Sequence, residues 1–180
     1  MRTNMKYTTF GIALLAVVLS ILPAFNYLLI SSPVESSMTI TTQDAATLAI
    51  INGDDDWAHF ESGKLVIDFD GVTIGERQTI QFGKEDDPVF KIQNNYDKTM
   101  AVSFKLTSVS VPDETEVTIY VKDGDGTIHS YTIDSSTGTG TLGTFSLDPA
   151  KVANVWIKVQ TSGASPGSIQ INLSIEAEVD

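Results

Sequence analysis

The side chains of this chain that could do chemistry are mostly carboxylates gathered in short clusters at residues 54–56, 85–87 and 123–126. Carboxylate oxygens are the ligands that Ca²⁺ prefers, and it takes six to eight of them. None of the clusters has the spacing of an EF-hand loop, since Asp123-Gly124-Asp125-Gly126 is followed by Thr127 where a third Asp is needed. Asp and Gly are also the usual residues of turns, so the pattern predicts solvated loops and a hairpin turn. Calcium remains the alternative, and its candidate ligands are Asp54, Asp55, Asp56, Asp123 and Asp125.

The other reactive side chains do not support catalysis. The two histidines, His59 and His129, are not in an H-E-x-x-H arrangement, and neither a G-x-S-x-G motif nor a Gly-rich phosphate loop occurs. The chain has no cysteine, which excludes a thiol nucleophile, a zinc knuckle and a disulfide scaffold. We therefore predict that the protein is not an enzyme and needs no cofactor.

Three positions could contact or carry carbohydrate. Trp57 and Trp156 could stack on a sugar ring, although large aromatic side chains are mostly buried and packing is the expected role. Asn172-Leu173-Ser174 matches the acceptor motif for N-glycosylation, which makes Asn172 a candidate site. Access to Asn172 depends on the face of the strand that it occupies.

The charge of the chain excludes one class of partner. The 180 residues, enough for one domain, include 11 Lys and Arg against 23 Asp and Glu, a formal net charge of −12. Contacts with phosphate groups require clustered basic side chains, and no such cluster occurs in the sequence. Nucleic acid is therefore excluded as a partner, and the membrane is expected to matter only during export.

The N-terminal residues have the organisation of a signal peptide. Arg2 and Lys6 precede an apolar run from Phe10 to Leu22, and Pro23-Ala24 interrupts that run. We predict a signal peptide over residues 1–24, with either Met1 or Met5 as the start. The alternative is a retained membrane anchor, because the 21 residues of 10–30 could just span a bilayer.

Downstream of the signal, apolar residues alternate with polar ones in short runs separated by turn residues. The clearest runs are Leu65–Phe69, Val102–Leu106 and Ile169–Ala177, and Asn94-Asn95 is one of the turn signals between them. A period of two residues is typical of strands with one buried face. About ten such strands without lasting helical periodicity predict an all-β, antiparallel, jelly-roll-like β-sandwich, preceded by the hydrophobic signal and donor segment. The expected organisation is a signal peptide at 1–24, a donor strand and linker at 25–44, and the sandwich at 45–180.

Two parts of the sequence resemble the TasA and camelysin family and its archaeal bundling-pilus relatives. They are Ser62–Phe69 with Phe90–Asn95 and Val102–Leu106, and the terminal Ser168–Ala177. The resemblance implies a secreted jelly-roll subunit that polymerises into an extracellular fibre. It also implies donor-strand complementation, in which each subunit gives its N-terminal segment as a strand to the next. The signal region is also similar to that of archaeal cannula (extracellular tube) subunits.

The residues themselves suggest which segment is donated. An extended segment added to an open sheet edge satisfies the unpaired backbone groups and buries alternate apolar side chains. The segment exposed after signal removal is strongly apolar, and Met38–Thr42 is a second, less apolar candidate. The first candidate donor strand consists of Phe25, Asn26, Tyr27, Leu28, Leu29 and Ile30.

These observations predict a structural subunit of a secreted, cell-surface filament whose partner is a second copy of itself. The alternatives are a membrane-anchored surface module that uses calcium to bind its target, and a cannula-like tube subunit. An enzymatic role would rest only on the peptidase label of camelysin relatives, and no catalytic spacing supports it.

Overall fold

The computed structural model describes residues 37–42, 48–53, 58–61, 64–68, 77–163 and 168–179. Within these ranges the chain forms strands and turns and has no helix. No membrane-spanning helix is therefore found there. The signal peptide, the anchor alternative and the donor candidate at residues 25–30 lie outside the described residues.

Twelve strands form in the described part of the chain, and the prediction of an all-β chain with antiparallel sheets is confirmed. Each alternating run singled out in the sequence overlaps one of the strands β4 to β12, with Phe69 outside the described residues and Ile169 just before β12, whereas alternation did not single out β2 and β3. The strands are β1 (Ser37–Thr42), β2 (Leu48–Asn52), β3 (Ala58–Glu61), β4 (Lys64–Asp68), β5 (Thr79–Phe82), β6 (Phe90–Asn94), β7 (Met100–Ser110), β8 (Thr115–Lys122), β9 (Ile128–Ile133), β10 (Gly140–Leu147), β11 (Val152–Thr161) and β12 (Gln170–Val179).

The strands are divided between two sheets. Sheet A has the order β10-β7-β12-β1-β4-β3, and sheet B has the order β2-β6-β11-β8-β9. The sixth strand of sheet B, β5, pairs with the second half of β11, while β6 pairs with its first half. Neighbouring strands are antiparallel except for β1 and β12, which run parallel.

The inward side chains of both sheets form one hydrophobic core. In β6, Phe90 and Ile92 are buried, and the residues that follow each of them, Lys91 and Gln93, are partly exposed. This alternation is expected for a strand with one face in the core. Burying a large apolar side chain of this kind stabilises the fold by roughly 1.5–3 kcal/mol. The largest fully buried side chains are Phe82, Phe90, Phe104, Leu48, Leu65, Ile67, Ile92, Leu106 and Ile119.

One buried polar residue connects two loops at the end of the core. The side-chain amide of Asn94 donates to the carbonyl oxygens of Lys98 at 2.9 Å and Leu147 at 2.8 Å. Its amide oxygen accepts from the backbone N–H of Tyr96 at 2.8 Å, and its backbone bonds with residues 150 and 151. Asn94 is fully buried, so these bonds satisfy a group that burial would otherwise penalise. The residue predicted as a turn signal therefore joins the β6–β7 and β10–β11 connections.

Edge strands β9 and β10 close one side of the two sheets against each other. A Cβ atom placed on Gly143 of β10 would lie 2.0 Å from the Tyr131 ring of β9. The same ring contacts Phe104, with a centroid distance of 5.6 Å. Only a residue without a side chain allows this approach. This side of the sandwich is therefore filled by its own aromatic side chains.

Candidate functional site

The N-terminal strand β1 lies in the interior of sheet A rather than at an edge. It pairs in parallel with the C-terminal strand β12, from Ser37 opposite Gln170 to Thr42 opposite Ile175. On its other side it pairs antiparallel with β4, from Ser37 opposite Asp68 to Ile40 opposite Leu65. The segment ranked second as a donor from sequence is thus a central strand. We call the space between β12 and β4 the β1 slot.

The β3–β4 hairpin depends on β1 for its place in sheet A. Strand β3 pairs with β4, and β4 pairs with β1, so β1 provides the ladder that connects the hairpin to β12. Without β1, both β12 and β4 would present unpaired backbone N–H and C=O groups to the slot. Buried groups of this kind are costly when unpaired, so the slot requires an occupant.

The register of β1 matches the alternation of its neighbours. Met38 and Ile40 lie opposite Ile171 and Leu173 of β12, which are both 1% exposed. On the β4 side the same two positions lie opposite Ile67 and Leu65, which are also buried. The apolar positions of β1 therefore share the core-facing rows of the sheet. A slip of one residue would move them to the opposite face, so the slot selects one register.

The Asp123–Gly126 turn uses its acidic side chain for internal hydrogen bonds. One carboxylate oxygen of Asp123 accepts from the backbone N–H of Asp125 at 3.0 Å and of Thr127 at 2.9 Å. The other oxygen lies 2.8 Å from His129 Nε2. Asp125 is exposed, and 4.0 Å separates its carboxylate from Lys151 Nζ. Both Asp123 oxygens therefore serve the hairpin between β8 and β9.

The metal candidates are only partly placed by the structure. Asp54, Asp55 and Asp56 lie outside the described residues. In the described part of the chain, no three His, Asp or Glu side chains come together in a way that could hold a metal ion. His59 is exposed on β3 of sheet A, whereas His129 lies on β9 of sheet B.

The hydrogen bonds of Asp123 predict a pH-dependent contribution to stability. Burial by itself would raise the pKa of the Asp123 carboxyl, but bonds from His129, Thr127 and Asp125 outweigh burial and hold that pKa below its ordinary value. A lowered pKa means that the stabilisation is present above the unfolded-state value near pH 4 and is lost as pH falls through the folded-state value. We expect Asp123→Asn to lower stability by about 1 kcal/mol at pH 7.

Thermal unfolding between pH 7 and pH 2 would measure this effect. The difference in melting temperature between wild type and D123N should disappear at the acid end of the series. The matched control is Asp125→Asn, because the exposed Asp125 carboxylate is expected to change stability by less than about 0.5 kcal/mol at any pH. A D123N deficit that persists unchanged at pH 2 would contradict the charge-based explanation.

The outer face of sheet B buries its tryptophan beside a second aromatic ring. Trp156 is 7% exposed and stacks on Tyr120, with 5.4 Å between centroids and 8° between planes. Lys158 Nζ lies 5.6 Å from the centroid of the Tyr120 ring. Packing, the role expected for Trp156, is therefore observed, and the ring does not offer a platform for a sugar. Trp57 lies outside the described residues.

The loop between β5 and β6 is attached to the same face. The Lys122 ammonium forms an ion pair with the Glu85 carboxylate. The side-chain amide of Asn154 donates to the Glu85 carbonyl oxygen at 3.0 Å. The acidic cluster of residues 85–87, predicted as a loop, is thus a loop held in place by two neighbouring strands.

Asn172 occupies an accessible position. It lies on β12 between the buried Ile171 and Leu173, and its own side chain is exposed on the outer face of sheet A. The Thr107 hydroxyl donates to its backbone carbonyl oxygen at 3.0 Å. The side chain of the candidate acceptor therefore faces solvent.

Sequence reasoning missed two features of this arrangement. It treated Asn94 as a turn residue, although an Asn that ends a period-two run can also be buried. It ranked Met38–Thr42 by hydrophobicity, whereas the alternation of Met38 and Ile40 with threonines was the better signal for a central strand.

No protein-family model matches the chain. No curated protein matches it either.

Proposed function

We propose that this chain is a structural subunit of a secreted extracellular filament, with a jelly-roll-like sandwich fold and no catalytic role. In this proposal the N-terminal segment of one subunit completes a sheet of the next by donor-strand complementation. The observation that carries the proposal is the position of β1, an N-terminal strand in the middle of sheet A between β12 and β4.

The topology makes β1 suitable for exchange between copies. Its backbone pairs with β12 and β4, and the same pairs could be made by β1 of a second copy. The exchange replaces each backbone pairing of β1 by an identical one, so its main cost is the entropy of association. Thirty-six residues precede β1 in the sequence, and residues 43–47 lie between β1 and β2. The donor favoured by the geometry is therefore β1, with residues 25–30 as the alternative donor.

The β9 and β10 edges of the two sheets support an assembly through the slot rather than through side-to-side strand pairing at these two strands. Strands β9 and β10 are packed against each other through Tyr131 and Gly143. A donated β1 would run parallel to β12 and antiparallel to β4 of the acceptor subunit. The donor and the acceptor surfaces of this contact differ, so the contact is heterologous. Heterologous contacts that do not close into a ring generate open filaments.

A disulfide cross-link tests the proposal directly. Thr39 and Val66 are register partners in the antiparallel β1–β4 pair, and such partners have the Cα spacing that a disulfide requires. The chain has no cysteine, so the two cysteines of a Thr39→Cys/Val66→Cys variant are the only thiols available for cross-linking. We expect filaments of this variant, after oxidation, to run as a ladder of covalent multimers on a non-reducing gel.

The control places both cysteines within one rigid sheet. Glu116 and Gln160 are register partners of β8 and β11 and are both exposed, so a Glu116→Cys/Gln160→Cys variant should remain monomeric on the same gel. Filaments that give only the monomer band with the first variant would show that β1 stays in its own subunit. Residues 25–30 would then be the donor. Absence of any filament from the exported chain would overturn the proposed function itself.

A further inference from the structure

The chain contains seven asparagines, and one of them combines the sequence and the surroundings of a modification site. Only Asn172 is followed two residues later by Ser or Thr, namely Ser174. This spacing is the acceptor motif for N-linked glycosylation. A motif of this length also occurs by chance, so its structural context decides whether it can function.

The side chain of Asn172 is exposed and its amide is not engaged with any described residue. Other asparagines of the chain differ from it in burial, in bonding or in the residues that follow. The Asn94 amide is fully buried and donates to two carbonyl oxygens, and the Asn154 amide donates to the loop at Glu85. Asn52 and Asn95 are exposed but are followed by Asp at the second position. The acceptor motif therefore coincides with an accessible asparagine.

The surface around Asn172 can accommodate a large substituent. Its register partner on β7 is the small, exposed Ser108, and the ladder shifts register at this point, with Thr107 as the extra residue. Its partner on β1 is Thr39. Both neighbouring positions of the ladder therefore hold small residue types. The extra residue Thr107 makes a β-bulge in β7, and a bulge bends its strand locally.

The same face carries few charges for such an acidic protein. On the outer face of β7, β10 and β12, Lys105 and Glu176 form an ion pair at 3.3 Å. Glu178 adds a further charge at the end of β12. The other exposed or half-exposed side chains there are mainly hydroxyls: Ser103, Thr107, Ser108, Ser110, Thr144 and Ser146. A face with so little charge lacks the repulsion that keeps acidic surfaces apart, and a bulky hydrated group would supply that separation by steric means.

We propose that Asn172 is N-glycosylated, and this inference rests on the export assumed in the proposed function. The co-substrate is a lipid-linked oligosaccharide phosphate or diphosphate. A bond forms between sugar C1 and Asn172 Nδ2, the bond from C1 to the phosphate oxygen breaks, and the amide nitrogen loses one proton. The lipid phosphate or diphosphate leaves with the bonding electron pair and takes up the proton that the amide loses. Because Asn172 lies opposite Thr39 of β1, the glycan is next to the proposed donor strand. The outer face of sheet A would then face solvent in the filament.

Mass spectrometry of the chain recovered from the surface of the cells that produce it tests the inference. We expect the peptide containing Asn172 to be heavier than its sequence by a whole number of sugar residues. Asn172→Gln and Ser174→Ala should both return the peptide to its unmodified mass, whereas Ser174→Thr should keep the glycan. The pair of Ser174 variants distinguishes a glycosyltransferase acceptor from any other modification of the asparagine.

The outcomes separate this inference from the proposed function. Filaments built from chains with unmodified Asn172 overturn the glycosylation and leave the filament proposal intact. Glycosylated Asn172 on chains that form no filament supports the inference and overturns the filament proposal. A melting temperature of N172Q within about 2 °C of wild type would show that loss of the glycan is not a folding effect, because Asn172 is exposed whereas Ser174 is buried.

Discussion

Replacing Ile40 by proline is expected to abolish filament formation. Ile40 lies at the centre of β1, opposite Leu173 on one side and Leu65 on the other. Proline has no backbone N–H and is found in sheets almost only at edges, strand starts and bulges. Its introduction into a strand that pairs on both sides removes a donor from the ladder. Because the same strand is the proposed donor, one substitution should block every subunit contact along the filament.

Electron microscopy and sedimentation of the exported chain would measure assembly, and thermal unfolding would measure the monomer. Ile40→Val is the matched control, because it keeps both the backbone donor and an apolar β-branched side chain, and it should assemble normally. We expect I40P to give a soluble chain that still unfolds cooperatively, at a lower temperature than wild type. Filaments of normal yield from I40P would show that β1 is not the connection between subunits.

Asn94→Ala is expected to destabilise the subunit far more than truncation of an exposed asparagine would. Truncation removes an amide that makes three hydrogen bonds at the end of the core, so that the buried Leu147 carbonyl oxygen loses the hydrogen bond from Asn94. An unsatisfied buried polar group costs about 1–3 kcal/mol, and the lost bonds and cavity add to it. The expected total is about 3 kcal/mol, which corresponds to a fall in melting temperature of roughly 10 °C.

Denaturant unfolding of the monomer would measure the free energy of unfolding of N94A. The control is Asn95→Ala, the exposed neighbour in the same Asn-Asn pair, for which a change below about 0.5 kcal/mol is expected. A second variant, Asn94→Asp, replaces the donor by a carboxylate that would face two carbonyl oxygens. Its stability should recover towards acid pH, where the introduced carboxyl is protonated and can donate again. Equal effects of N94A and N95A would contradict the role assigned to the buried amide.

The pairing of β1 is proposed to control polymerisation, whereas the hydrogen bonds of Asn94 control the stability of the subunit. Asn94 joins two loops that meet at one end of the sandwich, and its hydrogen bonds go to residues 96, 98, 147, 150 and 151 rather than to β1. We therefore expect N94A to weaken the monomer while filaments, once formed, keep the β1–β4 register. The two substitutions thus separate folding of the subunit from its polymerisation.

Local sequence patterns were enough to predict the type of structure, because a strand with one buried face alternates apolar and polar residues. Runs such as Leu65–Phe69 and Val102–Leu106 alternate with a period of two, and this period comes from the geometry of the extended backbone. The same local information placed turns at the acidic clusters around residues 85–87 and 123–126. The alternation of Met38 and Ile40 was visible as well, although it could not say where that strand would lie.

The choice of neighbouring strands and of buried polar side chains depended instead on contacts between distant parts of the chain. The parallel pairing of β1 with β12 joins residues 37 and 170, and no local pattern encodes a partner so distant in the chain. The burial of Asn94, beside an exposed Asn95, depends on the Leu147 carbonyl brought to it by β10. The exposure of Asn172 likewise depends on which face of β12 the core selects. Alternation shows that the two faces of a strand differ in polarity. The free energy of burying one face against a second sheet decides which face is inside.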